Sequence, residues 1–382
     1  MPAEGVHRPA WAEISRSALR HNVEALRAVL GATRLCAVVK ANGYGHGATL
    51  VGPAALEAGA DLLAVALVDE GLELRRVGVT APILLLAEIQ PSALDAAMAN
   101  DLTLTVGSLS GAEAVVAVAT RRAARARVHL KVDTGMHRMG VAPEEVERVV
   151  GVLASPYVDL EGVYTHFPVA DGEGEGDRAF TGAQVERFDA VLADLAARGV
   201  APRQVHLANS AGSLGYPATR RTLARVGLAL YGYLPAAWLA AALEERGVAL
   251  EPALTLRAQV VARRRLAAGE RPSYGRRREL ARASTVVTVP FGYADGYPRR
   301  LFEAGAEVLI GGRRYPLAGV VTMDQVLVDV GDDEVALGDD VVLLGRQGAE
   351  AVTADEWAAR AGTISWEILC GIGARVPRVL VD

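Results

Sequence analysis

Leu35-Cys36-Ala37-Val38-Val39-Lys40-Ala41-Asn42-Gly43-Tyr44-Gly45-His46-Gly47 decides the reading of this chain. Five apolar residues end in a lysine, and a glycine-punctuated turn carrying a tyrosine and a histidine follows. An apolar run this short, left through glycines, reads as a buried parallel strand. Lys40 then stands where the strand leaves the sheet. The glycines let the backbone turn sharply and approach a ligand closely. A partly desolvated amine in such a place loses its proton more readily and becomes a nucleophile toward an aldehyde. The Tyr44 hydroxyl, one short turn on, is placed to meet a phosphate. Taken alone, the pattern also fits a strand-end lysine beside an ordinary loop.

Outward from this stretch the chain alternates. Strand-like apolar runs fall at 35–39, 62–67, 83–87, 102–106, 128–132, 160–164, 204–207 and 223–226. Segments of helical periodicity lie between them, such as 72–77, 113–118, 144–153 and 184–195. Before them, Leu19, Val23, Leu26 and Leu30 recur at helical spacing, with Ser15 or Ser17 as cap and Gly31 as stop. Eight strands alternating with helices predict a (β/α)8 TIM-type barrel. An open doubly wound sheet would carry a glycine fingerprint after its first strand, and this chain has none. Instead Lys40, Asp133, Arg138, His166, Asn209, Ser210 and Arg225 follow many different strands, as a barrel mouth requires.

After about residue 250 the grammar changes to β-branched runs at 254–262, 284–289, 308–310, 326–330, 341–344 and 376–381, with one helix at 354–361 capped by Thr353. The expected organisation is a barrel over residues 12–247. A mostly β C-terminal domain follows over 248–382, completed by residues 1–14. Two segments read as long loops, 170–177 (acidic, glycine-rich) and 268–282 (basic).

The chain has 382 residues, is 51% apolar and 22% charged, and carries a net charge of −5 with pI about 5.9. That length suits two or three domains at ~150 residues each. Neither nucleic acid nor an anionic membrane surface is an expected partner. No apolar run approaches the ~20 residues of a membrane span. The first residues lack the apolar core of a signal peptide. The two cysteines, Cys36 and Cys370, sit in apolar runs and read as buried thiols in a reducing compartment, so a cytoplasmic location is expected. No metal site is assigned.

The string around Lys40 resembles the cofactor-lysine motif of the alanine racemase family, and further strings extend the resemblance over nearly the whole chain. They are 131–140 (KVDTGMHRMG), 164–167 (YTHF), 208–210 (ANS), 225–227 (RVG), 273–275 (SYG), 292–296 (GYADG), 323–325 (MDQ) and 375–378 (RVPR). Any one is weak, but together and in order they are specific. The resemblance implies a pyridoxal 5′-phosphate (PLP)-dependent isomerase interconverting L- and D-alanine, which supplies D-alanine for peptidoglycan. It implies that Lys40 carries PLP and serves as base on one substrate face, and that Tyr274 serves on the other. A planar carbanion must be deprotonated on one side and reprotonated on the opposite side. His166 and Arg225 would support Tyr274. Arg225 would also face the ring nitrogen and disfavour its protonation, limiting transamination. Tyr44, Asn209, Ser210, Gly227 and Leu228 would complete the cofactor site.

The resemblance further implies that Arg138 orients the substrate carboxylate or ring hydroxyl. Lys131, carbamylated in some relatives, would fix that arginine. Tyr293, Met323 and Asp324 would enter the partner subunit's site along with Tyr274, making a homodimer with shared sites. Two departures stand out: Ala374 replaces a phosphate-touching tyrosine, and Thr322 replaces a cysteine. Read singly, His166 fits a core histidine, Arg225 an ion-pair member, and Tyr293 and Met323 packing residues. The competing functions are a racemase of serine, basic or other amino acids and a non-catalytic PLP-binding protein. Arg225 argues against the decarboxylases that share this architecture.

Overall fold

The computed structural model describes residues 7–382; residues 1–6, assigned above to the β domain, lie outside the described residues. By internal contacts the chain forms two compact units. One comprises Ser17–Gly43 and Ala48–Glu251; the other comprises Pro252–Asp382, Tyr44–Gly47 and the first strand.

That strand, β1 (Ala10–Ser15), precedes the helix Arg16–Leu30, whose Gly31 stop is left-handed (φ 60°). The larger unit is a nearly closed barrel of eight parallel strands. These are β2 (Arg34–Val38), β3 (Leu62–Val65), β4 (Ile83–Leu85), β5 (Leu102–Val106), β6 (Ala126–Lys131), β7 (Val158–Tyr164), β8 (Gln204–His206) and β9 (Leu223–Val226). From β2 to β8 each strand pairs in parallel with the next, and β2 also pairs with β9. β2 to β5 are buried on both faces, as helix-covered parallel strands must be. The seam lies between β8 and β9, which share no ladder. Isolated bonds join them instead: Thr222 N–H to Val205 O (3.1 Å), Val205 N–H to the Thr222 hydroxyl (2.7 Å), and Arg225 N–H to Ala208 O (2.9 Å).

In the second unit, β1 runs antiparallel to β10 (Leu254–Gln259). A short β11 (Ala262–Leu266) and β12 (Ser284–Val289) form a three-stranded sheet closed later by β15. Then come β13 (Glu307–Ile310), β14 (Arg313–Pro316), β15 (Val326–Gly331), β16 (Asp340–Gln347), β17 (Glu350–Val352) and β18 (Arg378–Val381). The larger sheet has the order β14-β13-β16-β10-β1-β18, with β17 hairpinned onto β16.

Three expectations need correction. Cys370 is exposed, whereas Cys36 is buried. The 170–177 segment is not one long loop: the helix Glu175–Ala197 takes its last residues, with Glu175 and Asp177 in the first turn, where carboxylates favour the helix dipole. A second helix of the β unit, Ser365–Cys370, escaped notice because it has six residues and the apolar Ile364 at its N-cap. The helix capped by Thr353 is as read, with the Glu356 N–H donating to the Thr353 hydroxyl (3.0 Å).

Gly45 shows how tightly the Tyr44–Gly47 piece seats in its unit. Its φ is +81°, and a Cβ there would stand 2.0 Å from the Leu369 carbonyl oxygen. Gly45→Ala should therefore destabilise the protein by at least about 2 kcal/mol, through backbone strain and a clash with backbone that cannot yield. An unchanged urea midpoint would refute this.

Candidate active site

β2 delivers Lys40 to the C-terminal mouth of the barrel. Past it the backbone enters a left-handed turn, with φ of 53° at Ala41, 53° at Asn42, 63° at Gly43 and 50° at Tyr44. Left-handed geometry costs roughly 1–2 kcal/mol at each non-glycine residue. Local bonds hold the turn. Gly43 N–H donates to Val39 O (2.8 Å), and Ala48 N–H to Asn42 Oδ1 (3.0 Å). Glu70 Oε1 accepts the Ala41 N–H (2.6 Å), while its Oε2 accepts the N–H groups of Ala66 and Leu67. Glu70, at the start of the helix after β3, was missed in the sequence; a carboxylate in a first helical turn gives no sign that it serves a second strand.

Lys131 ends β6, 6% exposed, with Nζ 5.6 Å from the centre of the Tyr164 ring. Burial, followed by the charges of Arg225, Arg138 and Lys40, pushes its amine down to about 8. In the loop beyond, Asp133 Oδ1 accepts backbone N–H groups from Gly135, Met136 and His137 (2.9, 3.0 and 3.1 Å). Burial works against that carboxylate, but these donors hold it below its ordinary value. The loop so shaped carries Arg138, which is exposed.

Arg225, on β9, is 3% exposed. Its Nη1 donates to His206 Nδ1 (2.9 Å) and His206 O (3.1 Å). Its Nη2 donates to Thr165 O (2.8 Å), Leu207 O (3.1 Å) and His166 Nδ1 (3.1 Å). Every acceptor is neutral. Among the described residues Nε donates to no protein atom. Tyr164 stacks beneath, with the guanidinium carbon 5.0 Å from its ring centre. Its hydroxyl donates to Leu86 O (3.1 Å) and is bonded to Thr105 (2.9 Å); burial pushes that phenol up to about 12. Since Arg225 can only donate, His166 must accept at Nδ1 and carry its proton on Nε2. Burial, then Arg225, Lys131, Arg138 and Lys40, hold His166 neutral, well below 6.5. His206 and His129, deeper inside, are likewise lowered, chiefly by burial.

Ser210 Oγ accepts N–H groups from Gly227 (3.0 Å) and Ala229 (3.5 Å), which leaves its own O–H to donate outward. The Gly227 N–H, expected to face a phosphate, is thus engaged by Ser210. Asn209 caps the helix Ser210–Gly215 through Gly212 N–H (2.9 Å), and Leu228 opens the next turn, Leu228–Tyr231. The barrel unit therefore gathers Lys40, Lys131, Arg138, His166, Asn209, Ser210, Arg225, Gly227 and Leu228.

The remaining expected site residues belong to the β unit. Tyr44 is buried there, and burial, then Cys370, raises its phenol. Tyr274 is 72% exposed on a turn whose Ser273 has φ 69°, pinned by the Ser273 hydroxyl to Val320 O (2.6 Å). Tyr293 and Met323 are exposed on two knitted loops, where the N–H groups of Tyr293 and Ala294 donate to Thr322 O and Met323 O (both 3.0 Å). Asp324 pairs with Arg375 (2.7 Å), which reaches the buried Asp295 (3.4 Å), itself held by Arg8 through two bonds of 2.9 Å.

The donor set fits PLP. Among the described residues the buried guanidinium has an N–H with no protein acceptor, Ser210 keeps its O–H after accepting two backbone N–H groups, and a lysine follows the first barrel strand: the kinds of group that a ring nitrogen, a phosphate and an aldehyde carbon call for. A TIM-type barrel with this mouth and a β unit defines a fold-type of PLP enzyme. The models for the N-terminal and C-terminal domains of alanine racemase match residues 14–235 and 253–380. The alanine racemase of Symbiobacterium thermophilum is 49% identical over 97% of both chains. The structure of the Bacillus anthracis alanine racemase with bound L-Ala-P superposes with a TM-score of 0.91, at 37% identity, over 98% of this chain and 96% of that one. The histidine racemase of Leuconostoc mesenteroides gives 0.89 at 28% identity over the full length of both. The chain belongs to the alanine racemase family, whose members are PLP-dependent isomerases.

Three imidazoles held neutral have a consequence for stability. Each takes up its proton only on unfolding, so stability should fall as pH drops below 6.5, the ordinary histidine value. The slope should approach three protons, or about 4 kcal/mol per pH unit at most, at ~1.4 kcal/mol per proton. Denaturant midpoints of PLP-free protein measured against pH test this. His129→Asn should reduce the slope by one proton, and a flat profile between pH 6.5 and the acid transition would contradict the assignment.

Proposed function

We propose that the protein interconverts L-alanine and D-alanine by two bases on opposite faces of the substrate, Lys40 Nζ and Tyr274 Oη of the partner subunit, in the cytoplasm, supplying D-alanine for peptidoglycan. The observation that carries the reading is Arg225: a buried guanidinium whose one uncommitted donor is Nε, at the mouth that Lys40 enters. PLP, when bound, supplies the electron-withdrawing ring that makes the substrate Cα proton labile. Arg225 Nε would donate to the ring nitrogen and, being permanently charged, would keep a proton off it, which would weaken the electron sink and favour return of the proton to Cα. Ser210 would offer its hydroxyl to the phosphate.

Tyr274 must lose its proton near neutral pH, whereas free tyrosine ionises near 10. His166, fixed with its proton on Nε2, donates toward it, and the charge of Arg225 behind His166 favours the phenolate. Tyr293 and Met323 would narrow the space at the substrate side chain, with Asp324 and Arg375 bracing their loop. Arg138 would hold the carboxylate. Lys131 makes no ion pair among the described residues and lies among cations, which favours its uncharged amine, the form that reacts with carbon dioxide. A carbamate there would give Arg138 an anionic partner.

The likeness to a histidine racemase supports a second reading, in which the same scaffold accepts larger amino acids. Chiral chromatography of alanine, serine, lysine and histidine after incubation with the enzyme separates the two.

Lys40→Ala and Tyr274→Phe should each lose at least ~10²-fold in alanine racemisation, as removal of a proton-transfer group does. Verified heterodimers of the two should recover about half of wild-type activity, because one mouth then receives both intact residues. No recovery would reject shared sites. Arg225→Glu should raise transamination relative to racemisation; an unchanged ratio would remove Arg225 from the ring.

A further inference from the structure

Behind Arg225, a file of side chains that the proposed reaction does not use crosses the interior of the barrel unit. Arg225 Nη1 donates to His206 Nδ1 (2.9 Å), His206 Nε2 and His129 Nδ1 are 2.8 Å apart, and His129 Nε2 lies 3.7 Å from Glu161 Oε2. The donor-only guanidinium orders the file from one end. An arginine only donates, so His206 accepts at Nδ1 and bears its proton on Nε2. That proton goes to His129 Nδ1, leaving His129 protonated on Nε2, the nitrogen facing Glu161. A file in this sense must end on an acceptor, and a carboxylate stands at its end. At 3.7 Å the last contact is charge–dipole rather than a formed hydrogen bond.

The backbone is shaped for this terminus. The β6–β7 register shifts after Val128, which pairs with Leu160, to His129, which pairs with Gly162; Glu161 is the extra residue of the bulge, and bulges re-aim side chains. Gly162 leaves room for the His129 ring, because a Cβ there would stand 2.7 Å from two of its atoms. His206 stacks on Tyr164, with centroids 4.6 Å apart and planes 8° apart, which resists rotation of its ring. Around Glu161 stand Arg127 and Arg203, the latter at 3.9 Å and itself paired with Asp159 (2.8 Å). His129, followed by these arginines and against burial, keeps the Glu161 carboxyl below its ordinary value.

We propose that Glu161 is a positioning residue for Arg225: through His129 and His206 it holds both imidazoles in the Nε2–H tautomer and so keeps the guanidinium turned with Nε free for the cofactor ring. Remove the carboxylate, and the His129 Nε2–H loses the charge that it faces. The other tautomer then sets two N–H groups against each other at His206 or two donors against each other at Arg225. The influence on the ring rests on the racemase reading; the tautomers do not, which allows the two to fail separately.

The first experiment records 15N spectra of histidine-labelled, PLP-free protein. In the wild type, His129 and His206 should both be neutral and protonated on Nε2. A cationic His129, or a proton on His206 Nδ1, overturns the proposal without any variant. Glu161→Leu should populate a second tautomer at one or both rings, whereas Glu161→Gln, which keeps an acceptor oxygen, should restore the wild-type pattern. Wild-type tautomers in Glu161→Leu would overturn the proposal. In the PLP-loaded enzyme, the ratio of transamination to racemisation should rise several-fold in Glu161→Leu and return toward wild type in Glu161→Gln. If total activity and the unfolding midpoint fall together at an unchanged ratio, Glu161 is merely structural.

Discussion

A guanidinium with no carboxylate in contact sits inside the barrel, and the arrangement around it follows from that. Arg225 spreads its charge over the carbonyls of Thr165, His206 and Leu207 and the ring nitrogens of His166 and His206. These carbonyls lie at the ends of β7 and β8, beside the seam where β8 and β9 make no ladder. The side chain therefore does the work of missing strand pairing as well as presenting Nε. Burying such a charge is tolerable because neutral acceptors surround it and the Tyr164 face lies below. It also imposes order: each imidazole it touches must be neutral and of one tautomer.

The same charge sets the character of the mouth. Lys131 and His166 are both depressed by burial and by Arg225, so these two basic groups lean toward their uncharged forms. A cation field of this kind suits the proposed binding of a phosphate and a carboxylate. Mouth-level strain adds to it. The left-handed turn after Lys40 is fixed by Glu70 and Asn42 rather than by its own propensity, so the lysine is placed by its neighbours.

The barrel was legible because its signal is repeated: eight apolar runs, each too short for a helix, with polar residues just past their ends. The residues read at Lys40, Asp133 and His166 follow β2, β6 and β7, and Arg225 lies in β9. What stood in plain sight but unread was the polar alternation inside strands. Arg127, His129 and Lys131 occupy every second position of β6, and His206 sits in a three-residue strand. Alternation normally marks a solvated face, and only barrel closure turns that face inward. Glu161 was hidden for a further reason, since a bulge changes the parity of its strand and no local residue announces it. Cys370 misled in the opposite way: an apolar neighbourhood in sequence does not bury the last residue of a short helix.

Among the described residues β1 is the first strand, yet its neighbours β10 and β18 lie at residues 254–259 and 378–381. On a ribosome the barrel sequence emerges complete before either neighbour exists. Residues 10–15 must therefore wait, with an open edge on both sides, through the synthesis of about 240 residues, for Ala10 pairs with Ala258. The larger β sheet is consequently completed only after the barrel sequence has been made, and β1 stays open to mispairing until then.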